Sequence, residues 1–424
     1  MQRKNIIWGQ LFLLSTFLLG TPGFLSAEEQ DQKAKILELR PLIQEALQNN
    51  PEVAAFREQL KAMQERIPQA RTLEDPEVKI QLWNTPETLD VTGTQRTIYG
   101  VAQRFPFPGV LSQQEEVAAR EADQAAQRLA AKEREIMAAI KAAYYDLFYA
   151  HKAIEIHHEQ IKLLKQFFKI ANAKFRVGKG TQVEVLQAQV ELSKLFQHLP
   201  VLEQRRQTAQ AHLNTLLNRR AQAPLGAPRK PASQHPLQTH EQLVDQALRL
   251  RPELQEIDLA VAQFESATKL ARLQYYPKLR VELQRWQNHN TDDGFGGNVT
   301  MNIPFSFWTK PKYDAGVREA TARVRVARSK KQTLENQTRF QIKDLVAQIE
   351  ATGQVVELYA TTVLPQAKQT LKAANAGYRT DRTDFLDLID AERALITYQL
   401  EYFRALVDRE QQVAALERVL GVEL

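Results

Sequence analysis

Three aspartates, Asp384, Asp387 and Asp390, recur every three residues near the end of the chain. On a helix this spacing sets them roughly along one face. Carboxylates without an interleaved base are poor material for acid–base catalysis. Repeated around a symmetry axis, however, they form rings of negative charge that concentrate cations and repel anions. The same residues serve equally as the solvated first turn of a helix, where the macrodipole favours Asp. Spacing alone leaves both readings open.

His157-His158, flanked by Glu155 and Glu159, is the one cluster with metal-ligand chemistry. Adjacent side chains on a helix point about 100° apart, so the pair chelates poorly. His151 lies too far along the helix to complete a site. A packed His157 with an exposed neighbour is the expectation, with no metal and no cofactor. The chain contains no Cys. This excludes a disulfide framework, a thiolate metal site, a thiol nucleophile and a lipidated N-terminal Cys. No Gly-rich phosphate loop or nucleophile elbow is present, and an enzyme is not expected. The aromatic set Tyr144, Tyr145, Phe148 and Tyr149 reads as inter-helix packing.

The elements that must carry these residues follow from composition. The 424 residues hold only 16 Gly, which implies few turns and long helices. A net charge of +6 is small for the length and makes only a weak case for nucleic acid, which is not expected as a partner. The mean hydropathy of −0.43 excludes a multi-helix membrane protein but not a β-barrel, whose segments are only half apolar. Residues 1–27 have the layout of a secretory signal peptide: Arg3 and Lys4, an apolar run from Ile6 to Phe24, then Leu25-Ser26-Ala27. An exported, bacterial protein is expected.

The remainder is a duplication. Ala46-Leu47 with Pro51-Glu52 recurs about 200 residues later as Ala247-Leu248 with Pro252-Glu253. Arg120-Glu121-Ala122 returns as Arg318-Glu319-Ala320, and Ala171-Asn172-Ala173 as Ala374-Asn375-Ala376. The first copy spans 28–218 and the second 241–424. The Pro-rich stretch 219–240 between them is a linker that cannot be helical.

Each copy reads helix, strand, strand, long helix, helix. A Pro crosses the first helix early. Period-two alternation then marks strands at about 77–84 and 97–105, and at about 278–286 and 295–305. Val78, Ile80 and Leu82 form one apolar face, and Phe295, Val299, Met301, Ile303 and Phe305 another. Pro-containing corners follow at Phe105-Pro106-Phe107-Pro108-Gly109 and Ile303-Pro304-Phe305. Long helices then run from about Ser112 to Phe175 and from Tyr313 to Tyr378, each roughly 95–100 Å. Apolar steps of four and three, through Ile136, Ile140, Ala143, Leu147, Ala150 and onward to Phe175, make a coiled-coil seam. Returning helices close hairpins with tips at 177–180 and 380–383.

Four strands with one apolar face need a partner. The helices spend their seams on each other, so the sheet's apolar face is left for lipid. Open sheet edges are forbidden in hydrocarbon, and four strands cannot close a barrel alone. Three copies give twelve strands. The expected fold is mainly α with a small β part: a homotrimer with a 12-stranded transmembrane β-barrel continuing into an α-helical barrel.

The duplication, paired strands, Pro corners and tip motifs resemble the outer-membrane efflux protein (TolC) family over essentially all of residues 28–424. The tip motifs are Ala173-Lys174-Phe175-Arg176-Val177-Gly178 and Ala376-Gly377-Tyr378-Arg379-Thr380-Asp381. The segment Gln103–Gly109 is similar to the corner of channels serving heavy-metal resistance pumps. The resemblance implies a passive, trimeric exit duct that joins a periplasmic adaptor and an inner-membrane pump, carrying heavy-metal cations or drugs. Gly178 matches the family's tip glycine, and Asp381 stands where the second copy would carry it. Tyr378 matches a tyrosine of the closed gate and Glu184 its acidic partner. Asp387 and Asp390 match aspartates that ring the periplasmic constriction, and Asp384 shares their face. Thr383 replaces a gating arginine. Arg176 and Arg379 are either adaptor contacts or surface charges. The alternatives are a type I protein secretion component and a periplasmic coiled-coil adaptor or scaffold.

Overall fold

The computed structural model describes residues 36–424 except 86, 88–93, 232–237, 290 and 305. The expected leader, part of the linker and the Phe305 end of the fourth strand therefore lie outside the described residues. The first copy opens with three helices, α1 (Leu39–Asn49), α2 (Pro51–Gln64) and α3 (Arg66–Arg71). Strands β1 (Glu77–Trp83) and β2 (Arg96–Phe105) follow, then α4 (Val110–Arg176) and α5 (Gln182–Leu216). The second copy has α6 (His240–Leu250), α7 (Pro252–Leu273), β3 (Leu279–Asn288) and β4 (Gly294–Met301). It ends with α8 (Lys310–Leu358), a π-turn (Tyr359–Val363), α9 (Leu364–Arg379) and α10 (Phe385–Leu420).

The prolines of the opening helices do not cross one helix each, as expected, but start a new one. Pro51 and Pro252 sit at the first helical position, where the missing N–H costs no bond. Asn50 caps α2 by accepting from the Glu52 and Val53 N–H groups at 2.9 and 3.4 Å. The second long helix also differs from expectation. It is interrupted by the π-turn just before Pro365, which cannot donate to the carbonyl four residues back. Tyr359, in that turn, donates to Glu401 at 2.6 Å.

The 67-residue α4 spans about 100 Å at 1.5 Å per residue. Its seam is buried at Ile136, Ile140, Ala143, Leu147, Ala150, Ile161, Leu164 and Ala171. Three apolar clusters lie along the hairpins. The one around Leu243, Ile342 and Leu416 joins α6, α8 and α10. Of the other two, one surrounds Ile140, Leu147, Leu213 and Leu406; the other, nearer the tips, surrounds Leu164, Phe167, Leu371 and Leu388. His157 is buried between them and bonds the Ala153 carbonyl through Nδ1 at 2.9 Å. Tyr144, Tyr145 and Phe148 are core residues. The Tyr144 hydroxyl donates to the Leu37 carbonyl and accepts from the Arg229 N–H, tying the linker to α4.

The strands form one antiparallel sheet in the order β1-β2-β3-β4. The Ile80↔Tyr99, Val101↔Leu283 and Val281↔Val299 pairings put the apolar side chains on one face. Val78, Ile80, Val101, Leu283, Phe295 and Val299 are all exposed there. The other face is polar. Arg280 bonds Glu77 at 3.0 Å and Glu282 at 2.9 Å, while Arg104 pairs with Glu77 at 2.8 Å. A Cβ on Gly100 would come 3.0 Å from Glu282 Oε1, so the glycine makes room for this network. Strand β4 ends at Met301, short of the expected 305. There the Asn302 side chain accepts from the Lys278 N–H, and Pro304 brings no ladder donor.

Candidate functional site at the hairpin tips

Both hairpins turn at one end of the molecule, and the sequence chooses these turns locally. α4 ends in a turn with Gly178 at φ +72°, and α9 ends before Asp381 at φ +57°. Both values lie in the left-handed region, which glycine adopts freely and Asp tolerates better than most residues. A Cβ on Gly377 would meet Thr383 Oγ1 at 2.1 Å, so the glycine admits the threonine into the second turn. Thr181 caps α5 by accepting from the Glu184 N–H.

Four side chains join the two tips. Tyr378 from α9, only 2% exposed, donates its hydroxyl to Glu184 Oε2 of α5 at 2.7 Å. Burial and then the Glu184 carboxylate push the Tyr378 hydroxyl well above its ordinary range, so it remains a donor. Lys174 from α4 lies 4.1 Å from the centroid of the Tyr378 ring. It also donates to the Tyr378 carbonyl and pairs with Asp381. The Lys174 hydrogen bond holds the Asp381 carboxyl below the usual range. The residue at the missing glycine's position is thus an anchor for a lysine from the other hairpin.

A second bridge lies about two turns above. Arg393 of α10 reaches Glu191 of α5 with two nitrogens, at 2.5 and 3.2 Å, and Asp390 at 3.1 Å. Burial alone would raise Glu191; the Arg393 and Lys194 hydrogen bonds hold it low. The adjacent Glu392 is 2% exposed, and desolvation, with Glu191 nearby, pushes it up to about 7.

The structure brings Tyr378, Glu184 and, through Lys174, Asp381 into one cluster and leaves the other candidates apart. Asp384, Asp387 and Asp390 are exposed at the start of α10, and Asp390 is already engaged by Arg393. Asp384 occupies the N-cap position without making a side-chain cap bond. Arg176 and Arg379 are exposed and form no ion pair among the described residues. An apolar cleft of about 270 Å³ opens between α5 and α10, lined by Val183, Leu186, Val190, Leu386 and Ile389. Sequence reasoning missed Lys174, Glu191, Glu392 and Arg393. Lys174 and Arg393 read as ordinary helix-surface cations; only their long-range partners distinguish them. Among the described residues no group of three or more His, Asp or Glu could hold a metal, and no helix is long and apolar enough to cross a membrane.

The family model of outer membrane efflux proteins matches residues 42–219 and 243–422, one segment for each copy. The chain is 22% identical over 396 residues to the cobalt-zinc-cadmium resistance protein CzcC of Cupriavidus metallidurans, covering 91% of this chain and 90% of that one. The outer membrane protein VceC of Vibrio cholerae has a similar fold, with a TM-score of 0.75 at 18% identity, covering 91% of this chain and 96% of that one. CusC, whose structures describe transmembrane channel formation, has a TM-score of 0.76 at 16% identity over 93% and 94% of the two chains. With both copies matched in order, the chain belongs to the outer membrane efflux protein family.

Proposed function

We propose that the chain is the outer-membrane exit duct of a tripartite efflux system, a passive homotrimer gated at its hairpin tips. It is coupled through a periplasmic adaptor to an inner-membrane pump. The observation that carries this reading is the sheet: four strands, two unpaired edges and one exposed apolar face beside a polar face with a charged network. Lipid against the apolar face, and neighbouring copies against the edges, satisfy both at once. The polar face then lines the lumen, and the helical hairpins extend the duct into the periplasm.

The closed gate is the tip arrangement. Tyr378–Glu184 and Lys174–Asp381 hold the second hairpin against the first. Asp384, Asp387 and Asp390 then face the axis as rings of charge, and divalent metal cations are the cargo that such rings favour. The cobalt-zinc-cadmium resistance relative supports that choice of cargo. Because Arg393 partly neutralises Asp390, Asp387 carries more of the effect. Block of the reconstituted channel by divalent cations should weaken several-fold in Asp387→Ala and less in Asp390→Ala. Unaltered block in the double variant would remove the rings from the account.

Arg176, Gly178, Arg379 and Asp381, at the tips of the two hairpins, form the docking surface for the adaptor. A Cβ on Gly178 meets nothing within 4 Å, but φ of +72° strains any other residue. Gly178→Gln should therefore reduce export in cells while the amount of assembled channel in the membrane is unchanged. Full export by that variant would argue against docking at the first tip.

A further inference from the structure

The two apolar clusters that include α4 divide at one level in every helix that runs to the tips. On α4 one ends at Tyr149 and the next begins at Ile161. On α5 they part between Ala209 and Leu199, along α8 and α9 between Val356 and Leu364, and on α10 between Tyr402 and Tyr398. In the gap α4 buries Ala150, Ala153, Ile156, His157 and Gln160. The contacts between helices there are polar and weak. His157 meets His198 of α5 edge-on, with 6.1 Å between ring centroids. Gln160 reaches Gln399 of α10 only at 3.4 Å, and its own Oε1 is buried without a partner among the described residues. Close-packed apolar side chains move as a body, whereas a layer of small and under-bonded groups holds its neighbours loosely.

Two of the four helices also break at this level. The π-turn Tyr359–Val363 falls between Val356 and Leu364, and Pro365 removes a donor just after it. Pro200 lies inside α5, beside Leu199 where the tip-side cluster ends, and takes a bond from that ladder too. Helices bend where a proline or a π-bulge interrupts the ladder. Below the break α9 and α10 stay joined, since Tyr378 packs on Phe385 across the tip with 5.3 Å between ring centroids. At the break itself the Tyr359 hydroxyl holds Glu401 of α10, which fixes the upper end of the bend.

We propose that this level is the hinge of the gate: once the tip clasp is released, residues 364–398 swing outward as one stiff arm about the π-turn, and the helices above Tyr359 keep their places. Pro200 lets α5 yield at the same height. The 16 residues of α9, Leu364–Arg379, make an arm of about 24 Å. A bend of about 20° at the turn therefore carries the tip about 8 Å. The inference rests on the reading of a trimeric duct gated at its tips.

The test is a profile of distances between copies. The chain has no Cys, so Gln348→Cys, Lys368→Cys and Arg379→Cys, each at an exposed position, place one spin label in every copy. Double electron–electron resonance then gives the label separation in the full-length channel, with the clasp intact and in Tyr378→Phe/Lys174→Met. Releasing the clasp should lengthen the separation at Arg379 about three times as much as at Lys368, in proportion to their distances below the turn, and leave Gln348 unchanged. A comparable change at Gln348, or equal changes at Lys368 and Arg379, would overturn the hinge and leave the gate standing. No change at any of the three would overturn gating by the clasp, and the hinge with it. The lack of any separation between copies would overturn the trimer on which both rest.

Discussion

Removing the Tyr378 hydroxyl and the Lys174 ammonium together, in Tyr378→Phe/Lys174→Met, should leave the reconstituted channel open for most of its time. The Tyr378–Glu184 hydrogen bond joins a buried hydroxyl to a carboxylate at 2.7 Å and carries the larger share. Such bonds are worth about 1.5–3 kcal/mol, or roughly ten- to a hundredfold in the closed-to-open ratio of each copy. The Lys174–Asp381 pair is more exposed on the Asp381 side and is weakened by salt, so Lys174→Met alone should act by only a few-fold. The sign of its pH dependence follows from the depressed Asp381 carboxyl. The pair contributes fully above the carboxyl's unfolded value and is lost as pH falls through the lowered one. Single-channel conductance in planar bilayers reads both effects. A double variant as closed as the native channel would show that the clasp does not set the closed state.

The second large effect belongs to the sheet. Ile80→Arg should prevent stable insertion, whereas Gln81→Arg, one residue on, should insert normally. Ile80 lies opposite Tyr99 on the exposed apolar face; Gln81 lies opposite Ile98 on the face of the charged network. Arginine at mid-membrane on the lipid side costs about 2–4 kcal/mol, and in the proposed trimer that cost is met three times. On the lumen side it remains in water. Recovery of each variant in the outer-membrane fraction measures the difference. Equal recovery of the two would mean that the apolar face does not meet lipid.

These two sites differ in how they can be found. The sheet faces are legible in the sequence because side chains alternate with period two, so Val78, Ile80 and Leu82 announce a face without reference to anything distant. The seam of α4 is legible for the same reason, with a period of 3.5. The tip is not. Tyr378 and Glu184 are 194 residues apart, and only family resemblance pairs them. Lys174 reads as a cation suited to a helix C-terminus, and its bond to the other hairpin leaves no local trace. Asp381 looks like the loss of a glycine until its left-handed backbone and its lysine partner are seen together. The π-turn at Tyr359–Val363 is likewise a response to Pro365 within a packed bundle, where helix and bulge compete on tertiary terms. Pro51 and Pro252 read from sequence as prolines crossing a helix, because proline at the first helical position and proline within a helix look alike without the cap.

The unpaired edges of β1 and β4 carry the whole account, since among the described residues of one copy they have no partner strand. The chain has no Cys, so introduced thiols report without background. In Ile80→Cys/Val299→Cys, one thiol lies on each edge strand, and oxidation in native membranes should link neighbouring copies into a covalent ladder that stops at three chains. Chains that remain single after oxidation, or a ladder that runs past three, would contradict a barrel closed by three copies.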